Sequence, residues 1–155
     1  MVESGKVFYS IDNPGTQSGD VPSANVDSPF FYDRADGVFY AGDSSHLADS
    51  EGNEYAVPGS ATGFAIVSSS SIYAGGIIST RLGIMRASGA AFVSDFEYSS
   101  GGGQMVLRVL DRGTLAVGVR GAGVPEENGL YLYSTSSKSL RKISSLPVVA
   151  LYTRR

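Results

Sequence analysis

The sequence predicts an all-β fold, a β-sandwich or jelly-roll-like barrel of short antiparallel strands with an extended N-terminal arm. Three observations predict it. Charged residues make up only 17% of the 155 residues, while hydrophobic residues make up 42% and there are 20 glycines. Roughly 25% charge is usual, and glycine with serine in its place suits many strands joined by many turns. Next, an acidic or amide residue repeatedly stands close before a glycine, and a short apolar-aromatic run follows: "ADGVFYAG", "SEGNEYAV", "LDRGTLAVGV" and "ENGLYLYS". Such pairs supply the positive φ angles that tight hairpins demand. Finally, no segment sustains helical apolar spacing. Roughly eight to twelve strands follow, and their uneven spacing points to a meander rather than a repeat array.

The elements come in order. "KVFYSI" (Lys6 to Ile11) reads as the first strand, rich in β-branched and aromatic residues. Asp12 to Pro29 holds three prolines and almost nothing to bury, so it reads as an extended arm or an Ω-like loop that lies on something, with a floppy surface loop as the equal alternative. Residues 1–28 are therefore set apart as a strand and arm, and 29–155 as one all-β domain. "GFAIV" and "SIYAGGIIST" form central strands, the second with a glycine pair that marks a bulge or a close approach. In "AFVSDFEY" the alternation puts Phe92, Ser94, Phe96 and Tyr98 on one inward face. "SSGGG" (Ser99 to Gly103) has no side-chain means of ordering itself and reads as a mobile loop. "QMVLRVL" and "TLAVGVR" flank Asp111-Arg112-Gly113 as a hairpin, and "LPVVALYT" closes the sheet.

"NGLYLYSTSSKSLRKI" (Asn128 to Ile143) is the last hairpin. Asn128-Gly129 is expected to turn the chain. Tyr131 and Tyr133 share one face, Leu130 and Leu132 the other. Leu140 and Ile143 cannot share a face, so the return strand is short or bulged near Lys142.

The net charge of −3 hides a polarity. Residues 1–54 carry ten acidic and two basic side chains, residues 55–80 none, and residues 81–155 five acidic and ten basic. Either the two halves face each other within one fold, or the acidic segment docks on a neighbouring copy. The positive half is rich in arginine, the cation favoured in protein interfaces. The candidate partner-binding residues are Arg108, Arg112, Arg120, Tyr131, Tyr133, Arg141, Lys142, Arg154 and Arg155. An acidic pI of about 5.0 without a basic helix argues against a nucleic-acid partner. The apolar runs are far too short to span a bilayer, so no membrane partner is expected. "MVESGKVFYS" shows no basic segment followed by an apolar one, so no secretory signal is expected.

Enzymatic chemistry finds little footing. With no cysteine, thiolate catalysis, disulfides and cysteine metal sites are excluded. His46 is the single histidine, set in "GDSSHLADSEGN", and no G-x-S-x-G elbow exists. It reads as a solvated loop histidine. Asp43, Asp49, Glu51, Asn53 and Glu54, preceded by Asp33 and Asp36, form an oxygen-rich stretch of the kind calcium favours. EF-hand spacing is missing, so a solvated acidic loop is preferred, a weak calcium site over residues 43–54 is the alternative, and no metal or cofactor is assigned. Asp95 and Glu97, two apart on one strand, are the pair a glycosidase would need, but nothing places them in a cleft.

A small, cysteine-free, Gly/Ser-rich all-β chain with a proline-rich arm and hairpins such as "GLYLYSTSSKSLRKI" resembles virion proteins of tailed bacteriophages. The nearest types are capsid decoration (cement) proteins and fibre or tail-needle knobs. The resemblance lies in general character and carries no residue-level correspondence. It implies a non-enzymatic structural protein of the virion, assembled in the host cytoplasm. Its partners would be capsid or other virion proteins, and it would itself be a symmetric oligomer, a trimer by preference. As a decoration protein it would stabilise neighbouring shell subunits; as a knob it would bind a receptor or glycan.

Overall fold

Asp36 and Gly37 both take positive φ, 53° and 82°, and reverse the chain in two residues between strands paired as Ala35 opposite Val38. This is the primed turn whose twist matches a hairpin. The computed structural model describes residues 29–151 and, before them, the strands Lys6–Tyr9 and Gln17–Val21 at backbone level. Those two, β1 (Lys6–Tyr9) and β2 (Gln17–Val21), pair antiparallel. Part of the proposed arm is thus a strand, and the rest of residues 1–28 lies outside the described residues.

Two meanders then build an eight-stranded sheet. The first is β3 (Phe31–Ala35), β4 (Val38–Gly42), β5 (His46–Asp49) and β6 (Glu54–Ala56). The second is β7 (Ser60–Ser68), β8 (Ser71–Ile78), β9 (Arg81–Ser88) and β10 (Ala91–Glu97). A parallel bridge, Ala56 opposite Ala91, joins them. The order is β3-β4-β5-β6-β10-β9-β8-β7, with edge strands β3 and β7 side by side, so the sheet nearly closes into a barrel. A third meander of β11 (Gln104–Asp111), β12 (Thr114–Arg120), β13 (Gly129–Ser134) and β14 (Ser139–Ser144) forms a four-stranded sheet. Fourteen strands are seen, more than the sequence suggests, and the described residues contain no α-helix.

Strands β7, β8 and β9 are a shared wall between two cores. Phe64, Ile66, Ile72, Ala74 and Met85 face into the barrel, with Val38, Tyr40, Leu47 and Phe92. Ala65, Tyr73, Leu82 and Ile84 face the four-stranded sheet and meet Met105, Leu115, Val117, Val119, Tyr131 and Tyr133. Side chains alternate across a strand, so a wall buried on both faces needs the unbroken apolar runs "FAIV" and "LGIM". Each large side chain fully buried there stabilises the fold by about 1.5–3 kcal/mol.

The glycine pair behaves as its sequence suggests. Register slips between Ala61 and Gly63 opposite Gly76 and Gly75, leaving Thr62 as the bulged residue. Thr62 Oγ1 donates to the Met105 carbonyl at 3.0 Å and accepts from the Met105 N–H at 2.8 Å, joining the sheets. A Cβ at Gly75 would lie 2.9 Å from Met105 Cβ, so this contact requires glycine.

Four local expectations are corrected. Phe92 to Tyr98 do not share one face. Register slips between Ser94 and Phe96, so Phe92 faces the barrel core while Phe96 and Tyr98 face the second core. The extra residue of a bulge reverses alternation downstream of it. Asn128-Gly129 is not a turn by itself. A 3-10 turn, Pro125–Glu127, precedes it, Asn128 is extended, and its Oδ1 accepts from the Ala122 N–H at 2.9 Å.

"SSGGG" is ordered, because Glu127 provides what its own side chains lack. The carboxylate accepts from the N–H and hydroxyl of Ser99 and from the Ser100 N–H at 3.0 Å. Ser100 is buried at 1% exposure. Residues 146–151 of "LPVVALYT" form no strand. Pro147 has no N–H to donate to a ladder. The predicted bulge near Lys142 is present: Leu130 pairs with Ser144 and Tyr131 with Lys142, leaving Ile143 extra.

Candidate protein interface

The β11–β14 sheet has two unlike faces. Its inner residues Met105, Leu107, Leu115, Val117, Val119, Tyr131 and Tyr133 join the second core. By alternation, the outer face presents Gln104, Val106 and Arg108 from β11, and Ala116, Gly118 and Arg120 from β12. Leu130 and Leu132 follow from β13, and Arg141 from β14. The register places Gln104 beside Arg120, Arg108 beside Ala116, Ala116 beside Leu132, and Leu132 beside Arg141.

An apolar centre of Val106, Leu130 and Leu132 is thus bordered by Arg108, Arg120 and Arg141. The chain beyond β14 crosses this centre. A Cβ added to Gly118 would meet Val148 Cγ1 at 2.5 Å and Val106 Cγ2 at 2.7 Å. Leu146 and Val149, on either side of Val148, are 75% and 66% exposed. An apolar centre with an arginine border matches the composition of protein interfaces.

The other candidates go elsewhere. Tyr131 and Tyr133 are buried at 7% and 0% exposure, because the tyrosine face of β13 is the core face. They are not a contact surface of this chain. Lys142 donates to the Glu126 carbonyl at 2.5 Å and sits 5.5 Å from the Tyr131 ring centroid. Arg112 stands at the β11–β12 turn, lining a hollow with Asp36, Val67, Ser68 and Ser71. Arg154 and Arg155 lie outside the described residues. Val106, Leu130, Leu132 and Val148 were not among the residues picked out from the sequence as candidates. The signal was present in "GLYLY", where both faces of one strand are apolar.

The carboxylates singled out earlier organise turns. Asp43 accepts from the N–H of Ser45 at 2.7 Å and of His46 at 2.8 Å. Asp49, 2% exposed, accepts from the N–H of Glu51 and Asn53 and from the Asn53 side chain. Such Asx contacts fix the turns around β5. Asp36 accepts from the Ser69 N–H at 3.2 Å. The stretch is therefore not a solvated acidic loop. Among the described residues no group of three or more histidines, aspartates and glutamates is arranged to hold a metal ion. His46 is not a loop residue either; it opens β5, half-buried, and its Nδ1 has no hydrogen-bond partner.

Asp95 and Glu97 part company at the β10 bulge. Glu97 is exposed and accepts from the Ser94 hydroxyl at 3.0 Å. The Asp95 carboxylate, 1% exposed, meets Lys138 Nζ at 3.0 Å and Arg86 Nε at 3.6 Å. It also accepts the Tyr133 hydroxyl at 2.5 Å. Burial first, then the bond to Asp95, pushes the Tyr133 phenol well above its ordinary value. Asp95 therefore ties β10 to the β13–β14 hairpin, the element that carries Leu130, Leu132 and Arg141. It positions the outer face without belonging to it.

Charge follows the layers. Residues 29–57, the β3–β6 wall, carry six acidic and one basic side chain; residues 104–151, the four-stranded sheet, carry six basic and three acidic. The β7–β10 segment between, residues 58–103, is neutral with two of each. The two charged segments meet beside β7, where Asp33 and Arg34 share a hollow with Arg108, and Asp36 shares another with Arg112.

No family model, curated protein or solved structure matches the chain. None of the described helical turns is long and apolar enough to cross a membrane.

Proposed function

We propose that the chain is a non-enzymatic structural protein of a virion, a decoration module that binds neighbouring protein subunits and stabilises their assembly. The observation that carries this reading is the outer face of the four-stranded sheet. Val106, Leu130 and Leu132 form its apolar centre, Arg108, Arg120 and Arg141 its border, and Leu146 and Val149 stand exposed beside it. The centre itself is half-buried, and Leu146 and Val149 are the exposed apolar groups beside the arginines; exposed apolar groups gathered with arginine favour a protein-binding surface. The carboxylates that suggested catalysis have structural bonds instead, and Asp95 faces the junction between the sheets.

The test is the composition of purified particles. Quantitative mass spectrometry is expected to find the chain at a fixed ratio to the major shell protein. Absence from particles, together with saturable binding to a glycan array, would turn the reading to a receptor-binding knob.

A further inference from the structure

We infer that the open edge of β14 takes an extended, acidic segment of a partner protein as a fifth strand of the four-stranded sheet. The inference rests on reading this sheet as protein-binding, and it names the chemistry of what binds.

A strand at the edge of a sheet turns part of its backbone N–H and C=O groups toward its one neighbour and the rest away from it. The other edges of the two large sheets have company. β3 and β7 lie side by side, and β11 runs against β7. β14 pairs with β13 alone, and no described strand pairs with its far side. Ser139 to Lys142 face Ser134 to Tyr131 without a slip, so this stretch is a regular template for one more strand. Ser139, Arg141, Lys142 and Ile143 along it are exposed.

Charge chooses the occupant. Arg141 stands on the outer face. Lys142 is held on the other face by the Glu126 carbonyl and the Tyr131 ring. Lys138, in the turn before β14, is bound to Asp95. Among the described residues neither Arg141 nor Lys142 has a carboxylate partner. The edge thus carries uncompensated positive charge on both faces. Two copies joined edge to edge would crowd Arg141 and Lys142 of both along one short seam, and like charges on facing strands repel. Cations and a bulge are devices that keep a sheet edge from pairing with its own kind. They do not bar an acidic strand. Successive side chains of a strand point to opposite faces, so two adjacent carboxylates would meet one cation on each face. Main-chain bonds would supply the affinity and these pairs the choice of partner.

The test uses the full chain and a labelled synthetic peptide in which two adjacent glutamates are flanked by threonine and valine. Fluorescence anisotropy in low salt is expected to show binding, and amide exchange over residues 139–144 is expected to slow. Replacing the peptide's glutamates with lysine is expected to weaken binding by about tenfold or more, as is Arg141→Glu/Lys142→Glu. Arg81→Glu, at the exposed start of β9, makes the same kind of charge change elsewhere and is expected to bind as the wild type does. Circular dichroism checks that the variants keep the wild-type fold. A peptide methylated at its backbone nitrogens keeps every charge but cannot donate to a ladder, and it is expected to lose binding. Undiminished binding of the methylated peptide overturns the inference, as does undiminished binding by Arg141→Glu/Lys142→Glu or no binding at all. A chain present in particles at a fixed ratio that binds no acidic peptide keeps the protein-binding reading and loses the edge. A chain whose β14 is protected by the peptide but that is absent from particles keeps the edge and loses the virion.

Discussion

Tyr133 donates its hydroxyl hydrogen to Asp95 across the junction of the two sheets, at 2.5 Å. The phenol is fully buried and the carboxylate is 1% exposed. Lys138 and Arg86 complete the site with side chains still 54% and 43% exposed. A buried carboxylate must keep its partners, because one left without them retains the full cost of desolvation. The bulge in β10 is what aims Asp95 at this junction, so a local irregularity fixes how the β13–β14 hairpin sits.

Tyr133→Phe removes only the hydroxyl. It is expected to destabilise the protein by about 1–3 kcal/mol, read as a lower urea midpoint with an unchanged slope. Asp95→Ala is expected to cost at least as much and to loosen the β13–β14 hairpin, seen as faster amide exchange over residues 129–144. An unchanged midpoint in both variants would show that the junction is held by packing alone.

Acid should act through Glu127. Burial pushes its carboxyl up, but the hydrogen bonds from Ser99 and Ser100 outweigh this and hold it below the ordinary value of 4.5. A folded pKa below the unfolded one gives stability that is present above about pH 4.5 and lost as pH falls through the lowered value. Glu127→Gln is expected to flatten this acid limb and to lower stability at neutral pH. Chemical denaturation between pH 3 and pH 7 measures both, and a wild-type acid limb in the variant would contradict the assignment.

Two glycines separate a wall contact from a strap contact. Gly75→Ala sets a Cβ 2.9 Å from Met105 Cβ, between two laddered strands. Overpacking there is expected to cost about 1–3 kcal/mol. Gly118→Ala meets Val148, on a segment outside any ladder, as well as the Val106 side chain on neighbouring β11. It is expected to lift residues 145–151 and to cost less global stability than Gly75→Ala, so limited proteolysis should cut that segment faster while the unfolding midpoint falls less. Equal losses of stability in the two variants would show that the segment is part of the core.

The class of fold is legible in the sequence because turn chemistry and two-residue alternation are local. Asp36-Gly37 and Asp111-Arg112-Gly113 announce their hairpins, and Leu140 with Ile143 announces a bulge. The face of Phe96 is not legible, because the slip that reverses it happens at Asp95 and is stabilised by Tyr133, 38 residues away. "SSGGG" looks mobile because its order comes from Glu127, well beyond any local window. Arginines could be picked out one by one, but only the register of β11–β14 shows that Arg108, Arg120 and Arg141 share a face and Arg112 does not. The tyrosines misled for a related reason: β13 is apolar on both sides, and sequence does not say which side is the core.

The central claim is that this arginine-bordered face grips protein within a particle. The most direct measurement compares particles made with the wild-type chain and with Arg120→Glu/Arg141→Glu, counting copies per shell subunit by quantitative mass spectrometry. A fixed ratio is expected for the wild type and a loss of about tenfold or more for the variant, with its circular dichroism and urea midpoint unchanged. Equal incorporation of the two chains would contradict it.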